Sequence, residues 1–281
     1  MQKYQGKIAF ISIVGDAKSG KTFLMNNLIG LEQSKFEPES SRLQKPTAVT
    51  YLWSTPLYLP QEDKYIFFID TQGMEKGEQY DNSVGQKIFA IITLISSCLL
   101  YNIMGDLTES SLKKLYMIAT LPGSVTKNAL NQDNENNEEK ISQFFPKLML
   151  LIRDVEKDSK DKKIVKTSPK ENMESLIHDF SRTKNELTIK IKKTMVSLFK
   201  ERDCLSFPKP NKGSYQQLNY NQEQINQDFL NGLISLREKI EKDVQEKVIF
   251  NTFLNSRMVC SLLQSFVDIG NQNGVFDLNT S

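Results

Sequence analysis

A short segment near the start of the chain limits the available folds more than any other feature. Residues Gly15–Thr22 read GDAKSGKT and match the pattern G-x-x-x-x-G-K-[ST]. The apolar, strand-like run Lys7–Val14 precedes them, and a predicted amphipathic helix, Thr22–Ile29, follows. Such a turn presents main-chain N–H groups and the positive end of a helix dipole to an anion. The segment therefore predicts a phosphate-binding P-loop; an ordinary glycine-rich turn is the alternative.

The P-loop pattern assigns roles to individual side chains. Lys21 is expected to reach the β- and γ-phosphates of a nucleotide, and the Thr22 hydroxyl is expected to ligate Mg²⁺. The predicted nucleotide-binding residues of this segment form one continuous run: Gly15, Asp16, Ala17, Lys18, Ser19, Gly20, Lys21, Thr22 and Phe23.

A second motif supplies the acid that a magnesium-nucleotide site needs. The run YIFFIDTQG ends an apolar strand on Asp70 and continues to Gly73, which gives D-x-x-G. Asp70 is expected to hold Mg²⁺ through water, and the Gly73 N–H is expected to meet the γ-phosphate. A second hydroxyl should come from the preceding polar loop, where QKPTAVTYLW offers Thr47, with Thr50 as the alternative. A plain threonine opening a strand is the simpler interpretation of Thr47 alone.

The late strand Lys147–Asp154, KLMLLIRD, ends on Arg153 and Asp154. Nucleotide-binding sheets place ligand-reading residues at the carboxyl ends of such strands. A carboxylate there can accept hydrogen bonds from the ring N–H and the exocyclic amine of guanine, whereas adenine has no matching pair of donors. The pair favours GTP over ATP; without a P-loop, it would be read as a surface Arg-Asp pair.

Strand-like and helical runs alternate along the chain. The predicted strands are Lys7–Val14, Thr50–Leu59, Tyr65–Asp70, Ser97–Met104, Lys147–Asp154 and Cys204–Phe207. The predicted helices are Lys21–Ile29, Ser83–Ile95, Asp106–Leu121, Met173–Lys200 with a break, Asn221–Lys247 and Phe250–Asp268. A turn at 60–63 would pair two strands antiparallel. This order predicts an α/β fold: a P-loop domain with a mostly parallel central sheet, one antiparallel hairpin strand, and helices on both faces.

Composition excludes several other classes of protein. Lysine and arginine total 36 against 34 aspartate and glutamate residues, a formal net charge of +2 that is too balanced to predict nucleic-acid or anionic-membrane binding. The uncharged run Ile88–Gly105 is about as long as the roughly 17 residues that a membrane helix requires. Its polar residues and strand-like second half favour a buried helix followed by a central parallel strand.

Cysteine and histidine usage also restricts the chemistry. Cys98, Cys204 and Cys260 show no C-x-x-C spacing and are predicted to be reduced thiols of a cytoplasmic protein. The first residues lack the apolar core of a signal peptide, which agrees with a cytoplasmic location. His178 is the only histidine, so a histidine-based metal site or catalytic triad is not expected.

Four segments together resemble a known family. GDAKSGKTFLMN, the stretch Thr47–Trp53, DTQG followed by IFAIITLISSCLLYN, and LLIRD occur in the order found in the large GTPase domain of the guanylate-binding protein and atlastin group of the dynamin superfamily. That group reads guanine with an Arg-Asp pair, and this chain has no N-K-x-D motif. The resemblance implies a GTPase domain over residues 1–270, with 271–281 beginning a linker to a helical domain outside the chain.

The resemblance also implies roles for the site residues. Guanine would contact Arg153 and Asp154, and Mg²⁺ would be held by Thr22 and Thr47, with Asp70 and Gly73 in the second switch. GTP would be hydrolysed with Mg²⁺, GDP would be a product, and two such domains would pair as a homodimer across their nucleotide sites. Membrane contact would arise only through regions outside this chain.

Two residues depart from the pattern of the family. Lys18 stands where the group commonly has a P-loop arginine finger, and lysine keeps the charge but lacks the planar fork. Gln72 replaces the usual glutamate, and glutamine can still orient an attacking water. The predicted catalytic residues are Lys18, Lys21, Thr47 and Gln72. A GTP-binding interaction module with little turnover is the alternative to a GTPase.

Overall fold

The computed structural model of the protein describes residues 4–30, 50–73, 83–116, 142–154, 168–181, 185–210, 225–249 and 252–271. The strands of the main sheet are β1 (Lys7–Gly15), β2 (Thr50–Leu52), β3 (Leu57–Leu59), β4 (Lys64–Thr71), β5 (Cys98–Met104), β6 (Lys147–Arg153) and β7 (Arg202–Phe207). A separate hairpin contains β8 (Val248–Ile249) and β9 (Thr252–Phe253). The helices are α1 (Lys21–Ile29), α2 (Ser83–Ile95), α3 (from 109 to at least 116), α4 (Pro169–His178), α5 (Glu186–Leu198), α6 (Gln227–Asp243) and α7 (Ser256–Asn271).

The sheet has the order β2-β4-β1-β5-β6-β7, with β3 also paired to β4. Strands β4, β1, β5, β6 and β7 run parallel, whereas β2 and β3 pair antiparallel with β4. The chain passes from β1 to β4 on one side and then to β5 on the other side of β1. This reversal places a crevice beyond the carboxyl end of β1, where open α/β sheets bind ligands. The predicted fold class is confirmed.

Alternation along the central strands divides the core into two layers. On one face, Ala9, Ile11 and Ile13 of β1 pack with buried residues of α1 and α6. On the other face, Ile8 and Phe10 pack with buried residues of α2, α3, α4, α5 and α7. Helices therefore cover both faces of the sheet, as parallel sheets require. Polar side chains of the central strands can reach a ligand only where the strands end.

The predicted strand Thr50–Leu59 is wrong as a single element. Leu52 lies opposite Ile69, and Leu57 lies opposite Ile66. The chain therefore moves five positions from Leu52 to Leu57 while its partner β4 moves only three. The two surplus residues form a bulge that divides the strand into β2 and β3. Pro56 lies in this bulge, where its missing N–H does not interrupt the pairing.

Several predicted helices have different limits in the structure. The break expected within Met173–Lys200 is confirmed between α4 and α5. The predicted helix Phe250–Asp268 begins only at Ser256, because residues 252–253 pair with 248–249 as a hairpin. Helix α1 is not amphipathic: none of its residues is exposed, because it lies between the sheet and α6.

The apolar run Ile88–Gly105 is confirmed as the end of α2 followed by the central strand β5. No helix in the described parts of the chain has both the length and the apolar character needed to cross a membrane. Cys98 and Cys204 are buried, and burial raises the pKa of each thiol to about 12. Both groups stay protonated near neutral pH, so neither is a reactive thiolate.

Candidate nucleotide site

The predicted P-loop connects β1 to α1 at the sheet edge where the parallel strands end. Gly15 has a φ of 149°, and a Cβ at this position would lie 2.4 Å from the main-chain oxygen of Asn102 in β5. The close approach of β5 therefore requires glycine. Within the loop, Lys18 is exposed with a φ of 58°, whereas the Ser19 side chain is buried.

The start of α1 differs from the starts of three other helices. Ser168, Asn185 and Asn226 cap α4, α5 and α6 with side-chain oxygens that accept from first-turn N–H groups. Gly20 begins α1 in the left-handed conformation and offers no side-chain acceptor. The first-turn N–H groups of α1 are thus not covered by a capping side chain, an arrangement suited to an anion.

Two predicted magnesium ligands meet across the crevice. The Thr22 hydroxyl in α1 donates a hydrogen bond to Asp70 Oδ2 near the end of β4, at 2.7 Å. The structure thus brings together residues that are far apart in the sequence. A hydroxyl and a carboxylate are the hard oxygen donors that Mg²⁺ prefers, so the pair fits this ion chemically.

Gly73 lies directly against the P-loop. A Cβ at this position would stand 2.2 Å from Ala17 Cα and 2.7 Å from Lys21 Nζ, so a methyl group has no room there. Lys21 is buried, and its ammonium donates to the main-chain oxygen of Asp16 at 2.8 Å. The D-x-x-G segment and the predicted phosphate-binding lysine therefore share one small volume. Gln72 precedes Gly73 and is partly buried.

Arg153 ends β6, and Asp154 follows it with a φ of 61°. The Arg153 side chain is only 2% exposed, with its guanidinium carbon 5.2 Å from the ring centre of Phe229 and 5.9 Å from that of Phe207. Cation–π contacts of this kind stabilise a buried guanidinium. Phe23, predicted to contact nucleotide, packs its ring against Phe229 with 5.9 Å between centroids. Arg153 is thus an internal residue, and its Nη1 lies 4.0 Å from where a Cβ on Gly20 of the P-loop would stand.

Thr47 lies outside the described residues. The structure places the other predicted site residues along one edge of the sheet: the P-loop run 15–23, Asp70 near the end of β4 with Gln72 and Gly73 after that strand, and Arg153 at the end of β6 with Asp154 after it.

Comparison with known proteins identifies the family of the chain. The sequence model described as "Guanylate-binding protein, N-terminal domain" matches residues 1–247. The chain belongs to the guanylate-binding protein family. This is a family of large GTPases in the dynamin superfamily, as the sequence motifs predicted.

Curated relatives resemble the chain over most of its length but are much longer. Guanylate-binding protein 1 of Mus musculus is 25% identical over 270 residues, which cover 92% of this chain and 44% of the relative. Guanylate-binding protein 5 of Mus musculus is 25% identical over 274 residues, 95% of this chain and 46% of the relative. Guanylate-binding protein 1 of Homo sapiens is 30% identical over 152 residues, 53% of this chain and 25% of the relative. The chain thus spans less than half the length of these relatives.

In this guanylate-binding protein family domain, sequence reasoning missed one buried connection between the motifs. Asn102 of β5 donates through Nδ2 to the Ser19 main-chain oxygen at 2.8 Å and to Ser19 Oγ at 2.9 Å. Its Oδ1 accepts from Arg153 Nη1 at 3.4 Å. Asn102 therefore joins the P-loop to the end of β6. The available signal was a lone amide in an otherwise apolar strand, CLLYNIM.

A charged contact on the P-loop was also missed. Lys114 of α3 donates to both carboxylate oxygens of Asp16, at 2.7 Å and 2.6 Å. Sequence alone gave no reason to choose this lysine, because its partner is 98 residues away.

Proposed function

We propose that this domain binds GTP together with Mg²⁺ and hydrolyses it to GDP and phosphate. The observation that supports this most strongly is the meeting of Thr22 with Asp70 beside the contact of Gly73 with the P-loop. A P-loop hydroxyl, a strand-end acid and a D-x-x-G glycine form the usual set around a nucleotide γ-phosphate. Family membership supports the same reaction class.

In this proposal, α1 and its P-loop hold the phosphates. The amides from Gly15 to Thr22 surround phosphate oxygens, and Lys21 exchanges its bond to the Asp16 carbonyl for the β- and γ-phosphates. Thr22, Asp70 and Thr47 would hold Mg²⁺, which neutralises charge on the phosphate oxygens when it is bound. Asp70 lies close enough to Thr22 for both to serve one ion.

The base would be read at the end of β6. Asp154 accepts from the ring N–H and the exocyclic amine of guanine, which selects GTP over ATP. The buried Arg153 donates to Asn102 and packs against the rings of Phe207 and Phe229, which fixes the end of β6 next to Asp154. The predicted contact of Arg153 with guanine remains part of the proposal.

Turnover would depend on two further side chains. Gln72 orients the attacking water, as glutamine does in small GTPases. Lys18 is exposed on the P-loop, where it supplies a positive charge to the transition state when two domains pair across their nucleotide sites. We propose this homodimer, and a cytoplasmic location, for the chain.

Phosphate release from purified protein tests the proposal. We expect steady-state release from GTP, little from ATP, loss of release when EDTA removes Mg²⁺, and no release by Lys21→Ala. Turnover per molecule should rise with protein concentration, and Lys18→Ala should flatten this rise while Lys18→Arg steepens it. Tight GTP binding with no release at any concentration would replace the GTPase by the GTP-binding interaction module.

Asp154→Asn tests the base reader separately. An amide can donate to the extra oxygen of xanthine, so this variant should lose GTP affinity and prefer xanthosine triphosphate. Competition binding between the two nucleotides measures the change, with the unmodified protein as control. Continued preference for GTP would place the base reader elsewhere.

A further inference from the structure

The carboxylate of Asp16 is an unexpected neighbour for a phosphate site. Asp16 follows β1 directly and is the second residue of the P-loop. Asp16 accepts hydrogen bonds from two lysines. Its main-chain oxygen accepts from Lys21 at 2.8 Å, and its carboxylate accepts from Lys114 of α3 at 2.6 and 2.7 Å. A helix outside the known motifs therefore contacts the loop that would surround the phosphates.

The Asp16–Lys114 pair contributes little to fold stability. The Asp16 side chain is 31% exposed and that of Lys114 is 38% exposed, and exposed pairs of this kind contribute about 0–1 kcal/mol. The pair matters more for the electrostatics of the loop, because Lys114 offsets the negative charge of Asp16. Asp16 carries a negative charge, Lys18 and Lys21 carry positive ones, and a carboxylate near phosphate groups repels them.

We propose that Lys114 is a positioning residue for the nucleotide: it neutralises Asp16 and holds its carboxylate on the α3 side of the P-loop. This inference rests on the proposed binding of GTP at the P-loop. When Lys114 loses its charge, the Asp16 carboxylate can turn toward the phosphates or attract the Lys21 ammonium. Either change weakens nucleotide binding, and the loss grows with the number of phosphate charges.

Calorimetric titration of two matched variants tests this role. Lys114→Met keeps the apolar stem and removes the charge, and Lys113→Met makes the same change at the exposed neighbouring position of α3. We expect Lys114→Met to raise the Kd for GTP about tenfold, as one unscreened like charge nearby can, and to raise that for GDP less. Lys113→Met should leave both values unchanged.

Asp16→Asn provides the decisive rescue. The double variant Asp16→Asn/Lys114→Met should recover affinity close to that of the unmodified protein, because the repelling charge is gone. Asp16→Asn alone keeps the main-chain groups that would contact phosphate and removes only the repelling carboxylate, so it should lower the Kd for GTP, a result that does not depend on how Lys114→Met folds. A merely structural pair would not show this rescue.

Three results would overturn the inference. These are equal affinities for the two lysine variants, a double variant as weak as Lys114→Met, or equal losses for GTP and GDP. Failure of the proposed function looks different: the unmodified protein would not bind GTP, or Lys21→Ala would bind it with unchanged affinity.

Discussion

The two ends of the parallel sheet both bury lysine side chains, but they use them differently. At the carboxyl end, Lys21 donates to the main-chain oxygen of Asp16, five residues away in the same loop. At the amino end, Lys64 donates to the Val244 oxygen, and Lys247 donates to the oxygens of Ser96 and Phe144, each at 2.8 Å. Those partners lie more than 100 residues away in the sequence.

The difference separates two environments for one residue type: a bond within a single loop and bonds between distant elements. Lys64 and Lys247 join the segment after α6 to β4 and to the end of α2, so loss of either side chain removes a hydrogen bond between distant elements. A local bond, such as that of Lys21, can be exchanged for a ligand while the rest of the structure stays in place. Burial alone therefore does not identify a ligand-binding lysine: Lys64 and Lys247 donate to main-chain oxygens of distant elements, whereas the bond from Lys21 to Asp16 lies within one loop.

Of the three lysine substitutions, Lys21→Ala should give the largest effect, a loss of GTP affinity. Removing a charge that faces phosphates should weaken GTP binding by about 100- to 1,000-fold, since truncating one partner of a buried charge pair costs 2–5 kcal/mol or more. Its melting temperature should change little, because the bond from Lys21 to the Asp16 main-chain oxygen lies within the P-loop. Calorimetry and thermal unfolding measure the two quantities, and a large stability loss with unchanged affinity would reverse the comparison.

Lys64→Met should lower the stability of the fold and leave GTP affinity unchanged, and the free-energy change should be somewhat smaller than that of Lys21→Ala on binding. The Val244 oxygen at the end of α6 and the Glu62 carboxylate lose their donor, so the free energy of unfolding should fall by about 1–3 kcal/mol. The Kd for GTP should stay within about twofold of the unmodified value, because Lys64 lies at the opposite end of the sheet from the P-loop and distant sites without shared partners act independently. Denaturant unfolding checks the first value, and a large loss of GTP affinity would contradict the separation of the two ends.

Lys247 sharpens the comparison through pH. Burial lowers the pKa of Lys247 from 10.5 to about 7, so the unfolded chain binds more protons than the folded chain between these values. The free energy of unfolding should therefore rise as pH increases above 7, by on the order of 2 kcal/mol up to pH 9. The same titration on Lys247→Met should lack this contribution; parallel curves would show that Lys247 does not titrate there.

Sequence predicted the central elements well because their signals are local. The P-loop spacing, the strand ending on Asp70 and the apolar run of β5 depend on neighbouring residues, and the fold they predict is present. The hairpin of β8 and β9 was missed because its strands have only two residues each, too few to show a period. The split of Thr50–Leu59 depends on register with β4, which no single segment encodes.

The candidate site was predicted only where a motif covers it. Asn102 and Lys114 contact Ser19 and Asp16, and these pairings depend on which strands and helices the fold places side by side. The charge pattern of α3 gave no reason to prefer Lys114 over Lys113. Burial of Arg153 was likewise missed, since an arginine at a strand end is usually exposed.

The left-handed backbone at Lys18 matters for protein engineering. A φ of 58° costs a non-glycine residue about 1 kcal/mol, and glycine would relieve that strain. A screen that scores thermostability alone would therefore accept Lys18→Gly and discard the exposed cation of the P-loop. Under the role proposed for Lys18, a screen that scores phosphate release would reject the same variant, so this position should rank in opposite orders in libraries selected for stability and for turnover.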